Sequence, residues 1–184
     1  MNDLSLFLLD IVQNSIQVSA KRIEARLIFR KAEDQIVFEV KDNGPGLSPE
    51  RILRVTDPFY TTRTTRKVGL GLAFLKAAAE QAEGTFLMTS VPHEATVVRA
   101  TFRRSHIDTP PLGDLDQSLV AIISHQDVDE FVFTIEEDER RFAVSAIEIK
   151  EAVAPLSLQD ASVIRLVQEY VKSNLYHFLL GGAT

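Results

Sequence analysis

Two pairs of closely spaced glycines constrain this 184-residue chain more than any other feature. Gly44 and Gly46 fall in Asp42-Asn43-Gly44-Pro45-Gly46-Leu47, directly after a strand-like run. Gly69 and Gly71 fall in Val68-Gly69-Leu70-Gly71-Leu72-Ala73-Phe74, which opens an alanine-rich helical run. A residue without Cβ lets the backbone come close to a flat ligand. Glycines at a helix start leave N–H groups and the positive end of the dipole open to an anion such as a polyphosphate. Asp42, a carboxylate at a strand end, suits an exocyclic amine such as that of adenine. Taken singly, the first pair is also compatible with a plain turn and the second with close helix packing.

Hydrophobic period places these motifs on a framework. Leu4, Leu8, Ile11, Val12 and Ile16 share one arc of a helix expected from Asp3 to Ser19, with Asn2 or Asp3 as its cap. Arg22–Phe29 and Gln35–Val40 are rich in β-branched and aromatic residues and predict a hairpin that turns at 32–34. Ser48 predicts a short helix to Val55, and a longer helix runs from Gly69 to Glu83 with Gly84 as its expected C′ residue. Thr85–Ser90 and Thr96–Arg103 close the pattern as strands. Thr109-Pro110-Pro111-Leu112-Gly113 marks a change in composition. Beyond it the sequence predicts a helix at 114–124, strands at 130–135 and 140–145, and a last helix at 159–178. The apolar face of that last helix, with Val163, Leu166, Val167, Tyr170, Val171 and Leu175, is expected to be core; its alternative use is a partner or homodimer surface.

On the first helix, Asp10 and Asn14 stand four residues apart and so share a face. An amide oxygen is a suitable hard ligand for Mg²⁺, and a neighbouring carboxylate can orient or deprotonate water; a solvated polar face explains the same pair. Net charge is −6, from 26 acidic and 20 basic side chains, which argues against general affinity for nucleic acid. With no cysteine, thiolate metal sites, disulfides and cysteine nucleophiles are excluded. No run approaches the ~20 apolar residues of a membrane span, and no signal peptide is evident, so a cytoplasmic protein without a membrane partner is expected.

The order Asp10-x-x-x-Asn14, Asp42-x-Gly44-x-Gly46, Phe59-Tyr60-Thr61-Thr62 and Gly69-Leu70-Gly71-Leu72 resembles the N, G1, F and G2 boxes of histidine-kinase-type ATPase domains in the GHKL superfamily. The stretch Leu9–Glu24 is similar to the MutL form of the first box. The resemblance covers Met1 to about Phe102. More narrowly, the run Thr56–Leu72 together with Ser105–Gly113 resembles a group of stand-alone bacterial ATP-binding proteins of histidine-kinase-like type, often associated with iron-hydrogenase gene clusters. The resemblance implies a Bergerat fold, an α/β sandwich (α+β) with a mixed sheet and helices on one face. It sets a nucleotide domain at 1–104 and leaves 105–184 as a small α+β appendage. It further implies that Asp42 binds the adenine amine, that Gly44 and Gly46 shape the base pocket, that Asn14 ligates Mg²⁺, that Gly69 and Gly71 cradle phosphates, and that Thr96 supports the base. Phe59 belongs to the third box, and Arg63 and Lys67 are added as cations close to the phosphate end.

Three departures from the pattern bear on function. Asp10 stands where ATP-hydrolysing relatives usually carry Glu, Lys67 replaces the leading glycine of the last box, and Ala95-Thr96 replaces the usual Gly-Thr. His106, in Ser105-His106-Ile107-Asp108-Thr109-Pro110-Pro111, only superficially echoes a phosphoacceptor box, since the double proline disfavours a continuing helix. His93, His125 and His177 lack metal-ligand spacing. The expected function is therefore an ATP/Mg²⁺-binding regulatory protein of histidine-kinase type acting on a separate protein. A nucleotide-gated binding switch and a slow ATPase using Asp10 are the alternatives.

Overall fold

The structure, a computed structural model, describes residues 3–55 and 70–181. Its elements run α1 (Leu4–Gln17), β1 (Arg22–Arg30), β2 (Gln35–Asp42), α2 (Pro49–Val55), α3 (Leu70–Gln81), β3 (Phe86–Val91), β4 (Ala95–Arg103), α4 (Leu115–Ile123), β5 (Glu130–Glu137), β6 (Arg140–Ser145), α5 (Ala146–Val153) and α6 (Ala161–Leu179). The strands form one sheet in the order β3-β4-β2-β1-β5-β6. All neighbours are antiparallel except β1 and β5, which pair in parallel from Arg22–Glu130 to Phe29–Glu137. The sheet is thus mixed, as expected.

Alternation of side chains decides which face is covered. Ile23, Ala25 and Leu27 of β1 are buried, as are Ile36, Phe38 and Val40 of β2, Val98, Ala100 and Phe102 of β4, and Phe131, Phe133 and Ile135 of β5. Together with Leu4, Phe7, Leu8, Leu75, Leu119 and Val171 from the helices they make one core. Among the intervening residues, charged ones pair across strands, Arg26 with Glu136 at 3.5 Å and Arg99 with Glu39 at 3.8 Å. Burying one Leu or Phe is worth roughly 1.5–3 kcal/mol, whereas an exposed ion pair contributes about 0–1 kcal/mol. The helix-covered face therefore holds the fold.

The segment after Arg104 lies on this same sheet: β5 extends it beside β1, and α4 packs against both α1 and α6. Its leading loop also caps α1. Leu4 N–H donates to the Pro111 carbonyl at 2.9 Å and Ser5 N–H to that of Leu112 at 3.1 Å, while Asp3 Oδ1 accepts from Leu6 N–H at 2.9 Å. Three of the four unpaired N–H groups of a helix start are satisfied in this way.

Three local expectations are corrected. Gly84 is not the C′ residue of α3; Glu83 is, at φ 54°. Glu83 N–H donates to Glu80 and Gly84 N–H to Ala79, the paired bonds of a Schellman end with Gly84 at C″. Glycine is required there for space, since an added Cβ would stand 1.7 Å from the Thr101 carbonyl oxygen. Second, a helix, α5, follows β6 without a break. Its signal was Ser145-Ala146-Ile147-Glu148, in which the Ser145 hydroxyl accepts from Glu148 N–H. Third, on α6 Val163, Val167, Val171 and Leu175 are buried, but Leu166 and Tyr170 are 58% and 49% exposed. Val163 to Leu175 follow a four-residue row that ends three residues later at buried Phe178, and each exposed residue sits about 100° around the helix from its successor.

Candidate functional site

The site grows from the end of β2. Asp42 is on the inward face, 9% exposed, and both of its oxygens already accept one hydrogen bond. Ser15 Oγ–H donates to Oδ2 at 2.9 Å and Gly44 N–H donates to Oδ1 at 2.8 Å. Two fixed donors orient the carboxylate, and each oxygen keeps a lone pair for a further donor. Gly44 is needed because an added Cβ would lie 2.8 Å from Asp42 Oδ1 and 3.1 Å from Val18 Cγ2. Gly46 has φ +75°, and a Cβ there would meet the Val91 carbonyl oxygen and Pro92 Cα at 2.8 Å each.

The glycine loop is tied at both ends. Asn43 Oδ1 accepts from the N–H groups of Lys21 and Arg22, each at 2.8 Å, fastening the loop to the start of β1. At the far end, His93 N–H donates to the Pro45 carbonyl at 3.0 Å and Leu47 N–H to Ser90 Oγ at 2.8 Å, fastening it to the β3–β4 hairpin. Thr96, 8% exposed, is the cross-strand partner of Asp42, and its Oγ1 lies 2.8 Å from Ser90 Oγ.

Helix α1 supplies the opposite wall. Ser15, the residue that reaches Asp42, directly follows Asn14 in α1, and the half-buried Asn14 stands about 100° around the helix from it. Among the described residues, none is bonded to the Asn14 side chain. One turn earlier, Asp10 abuts the first turn of α3: a Cβ on Gly71 would stand 3.1 Å from Asp10 Cβ and 3.2 Å from Asp10 Oδ2. Partial burial against that helix raises the Asp10 pKa above its usual value. The structure thus brings Asp10, Asp42, Gly44, Gly46, Gly71 and Thr96 around one region between α1, α3 and the β2–β4 strand ends, with Asn14 on the same helix between Asp10 and Ser15. Phe59, Arg63, Lys67 and Gly69 lie outside the described residues.

Ser15, Asn43 and Ser90 were missed by sequence reasoning. Ser15 carried a signal, since it follows Asn14 on a helix whose next inward neighbour is β2. Ser90 carried none, because its partner is set by strand register. A separate cleft is lined by Gln13, Gln17, Lys21, His125, Asp127 and Asp129. Its strongest charge pair, Lys21 with Asp129 at 2.7 Å, is already satisfied. No group of three metal-binding side chains occurs among the described residues, so a metal here would take its remaining ligands from water and a bound phosphate.

The donor set suits a nucleotide with its metal. An oriented carboxylate with a lone pair left on each oxygen lies at the end of β2, and glycines clear the backbone where Cβ atoms would clash. His106, by contrast, lies beside Glu83 at the far end of α3 from Gly71. Twelve helical residues separate the ends, roughly 18 Å at 1.5 Å per residue.

Comparison with known proteins places this geometry. The chain is 35% identical over 99 residues to the sensor histidine kinase YxdK of Bacillus subtilis (strain 168), covering 50% of this chain and 30% of that one. It is 38% identical over 88 residues to the sensor histidine kinase CpxA of Escherichia coli (strain K12), covering 45% and 19%. The chain therefore spans less than a third of the length of these relatives. A solved structure described as the N-terminal domain of a DNA repair protein shares the fold over 93% of this chain and 57% of that one, at a TM-score of 0.50 and 14% identity. Residues 2–106 match the model of the histidine kinase-, DNA gyrase B- and HSP90-like ATPases, and the chain belongs to that family.

Proposed function

We propose that this chain binds ATP with Mg²⁺ and directs its terminal phosphoryl group to a separate protein. The observation that carries the proposal is the doubly anchored Asp42 at the end of β2. Asp42 would receive the adenine amine, with Thr96 beside it, and Gly44 and Gly46 would clear the base. Asn14 would lend its amide oxygen to the metal, which neutralises phosphate charge when bound. Gly71, with Gly69, would put backbone N–H groups and the helix dipole at the phosphates. Phe59, Arg63 and Lys67 are proposed for the covering segment and its cations. Asp10, a carboxylate with a raised pKa next to Gly71, would hold the proton of the attacking group.

Similarity to sensor kinases supports phosphotransfer, and the distance of His106 from Gly71 supports an acceptor on another chain. Two measurements test this. Asp42→Asn replaces one acceptor oxygen by a donor, and an unpaired or repelled buried polar group costs about 1–3 kcal/mol. Calorimetry should therefore show ATP affinity falling roughly tenfold to a hundredfold with the melting curve preserved. Incubation with γ-labelled ATP and extract from its own host should label a second protein with wild type and not with Asp42→Asn. ATP binding without any labelled second protein would remove the transfer step and leave a binding module.

A further inference from the structure

Ser90 lies on the inward face of β3 opposite Thr96, and Thr96 lies opposite Asp42. Three groups approach its Oγ: Leu47 N–H at 2.8 Å, Thr96 Oγ1 at 2.8 Å and the Ala95 carbonyl oxygen at 3.4 Å. A backbone N–H only donates, so Ser90 accepts from Leu47. The Ser90 proton then goes to Thr96 or to Ala95. At 2.8 Å the first is a normal O–H···O bond, and at 3.4 Å the second is long for one. Either hydroxyl can donate in the Ser90–Thr96 pair; the shorter contact favours donation from Ser90 to Thr96 Oγ1, which leaves the Thr96 proton for another acceptor. The Leu47 N–H that starts this relay belongs to the glycine loop leaving Asp42, so loop position and hydroxyl polarity are fixed together.

We propose that Ser90 is a specificity-determining residue that makes Thr96 a hydrogen-bond donor, so that Asp42 and Thr96 together accept the edge of adenine and reject that of guanine. The inference rests on the nucleotide reading above. Adenine offers an amine donor next to a ring-nitrogen acceptor, which complements a carboxylate acceptor beside a hydroxyl donor. Guanine offers a carbonyl acceptor next to an N–H donor, the reverse order on both atoms. Without Ser90, the Thr96 hydroxyl is free to turn and no longer discriminates at the ring nitrogen. Ser90 acts through Thr96 and is a positioning residue rather than a ligand.

The test is calorimetric titration of the full chain with ATP, GTP and 1-deaza-ATP in Mg²⁺, using wild type, Ser90→Ala, Ser90→Thr and Asp42→Asn. The 1-deaza analogue lacks the ring-nitrogen acceptor and keeps the amine. One hydrogen bond at ~1–1.5 kcal/mol corresponds to roughly tenfold. Wild type should thus bind ATP about tenfold tighter than 1-deaza-ATP. Ser90→Ala should lose that ratio, weakening ATP about tenfold and 1-deaza-ATP by no more than ~2-fold, and should bind GTP relatively better. Ser90→Thr, which restores the hydroxyl, should restore the ratio. An unchanged ratio in Ser90→Ala, or equal weakening of both ligands, overturns the role of Ser90. So does a wild type indifferent to the deaza substitution, a result that needs no variant at all. If wild type binds no ATP, or if Asp42→Asn binds it unchanged, the nucleotide reading itself has failed.

Discussion

Arg103 is the residue through which the β1–β2 turn, the end of α3 and the loop after β4 are joined. Its guanidinium donates to Glu83 at 2.6 Å and to Asp34 at 3.3 Å, and Asp34 also accepts from the Ser105 hydroxyl and N–H. The Ser105 hydroxyl, and after it Arg103, hold the Asp34 pKa below its ordinary 3.8, and Arg103 holds that of Glu83 below 4.5. A carboxylate depressed in the fold stabilises it above the unfolded value and loses that contribution as pH falls through the folded value. Between about pH 6 and pH 3, then, the urea midpoint of wild type should fall further than that of Arg103→Gln, and the two should converge at the acid end. Parallel profiles would show that Arg103 does not set these ionisations. Because all three groups are solvent-facing, the difference should also shrink in high salt. At this scale the sequence revealed the groups with unusual surroundings in the chain: Asp42 after a strand, Asn14 at a helical interval from Asp10, glycines in pairs. It concealed Ser90, whose significance is only to whom it is bonded. A serine on a strand looks the same whether its partner is water or a threonine one strand away, and register alone decides which.

At the scale of elements, the strands and long helices were legible because their periods differ, alternate burial in β1, β2 and β4 against a three-to-four residue spacing in α1 and α6. What was not legible were the ends, where the constraint comes from a neighbour. Gly84 is the clearest case. A glycine after a helix suggests a left-handed residue, yet here Glu83 takes φ 54° and Gly84 makes room for β4. The distinction predicts how substitutions behave. Gly84→Ala would push a methyl into the Thr101 carbonyl, and no side-chain rotation relieves a backbone-to-backbone clash. Overpacking of this kind costs typically 1–3 kcal/mol and more where nothing can move, so the loss should be about 3 kcal/mol or greater by urea denaturation. Glu83→Gly, in contrast, relieves a left-handed penalty of roughly 1 kcal/mol and should be tolerated. If Gly84→Ala proves neutral, α3 and β4 are not packed as closely as described.

Over the whole molecule, the question is whether residues 1–104 stand alone. The match to the ATPase family covers residues 2–106, which makes a stand-alone unit the natural expectation. The structure supplies reasons for dependence on the remainder. β1 has β2 on one side and β5 on the other, and α4 lies against α1. Without 105–184, Leu4 and Ser5 lose the carbonyls of Pro111 and Leu112 that cap α1. Leu4, Phe7, Leu8, Ile23 and Leu27, each at most 2% exposed, belong to a core that also contains Leu119, Phe131, Phe133 and Ile135. Partial exposure of several such side chains, at roughly 1.5–3 kcal/mol for each fully uncovered one, is comparable to the whole net stability of a domain, about 5–15 kcal/mol. A chain ending at Arg104 should accordingly unfold without a cooperative urea transition in far-ultraviolet circular dichroism and should not bind ATP measurably, because Ser15 and Asn14 ride on the helix whose start and outer flank have been removed. Cooperative unfolding of the shortened chain with undiminished ATP affinity would instead make 105–184 a dispensable addition. The dependence, if found, couples the two parts in both directions. Ligands that hold Asp42 to α1 also favour α1 against α4, so ATP should raise the urea midpoint of the intact chain.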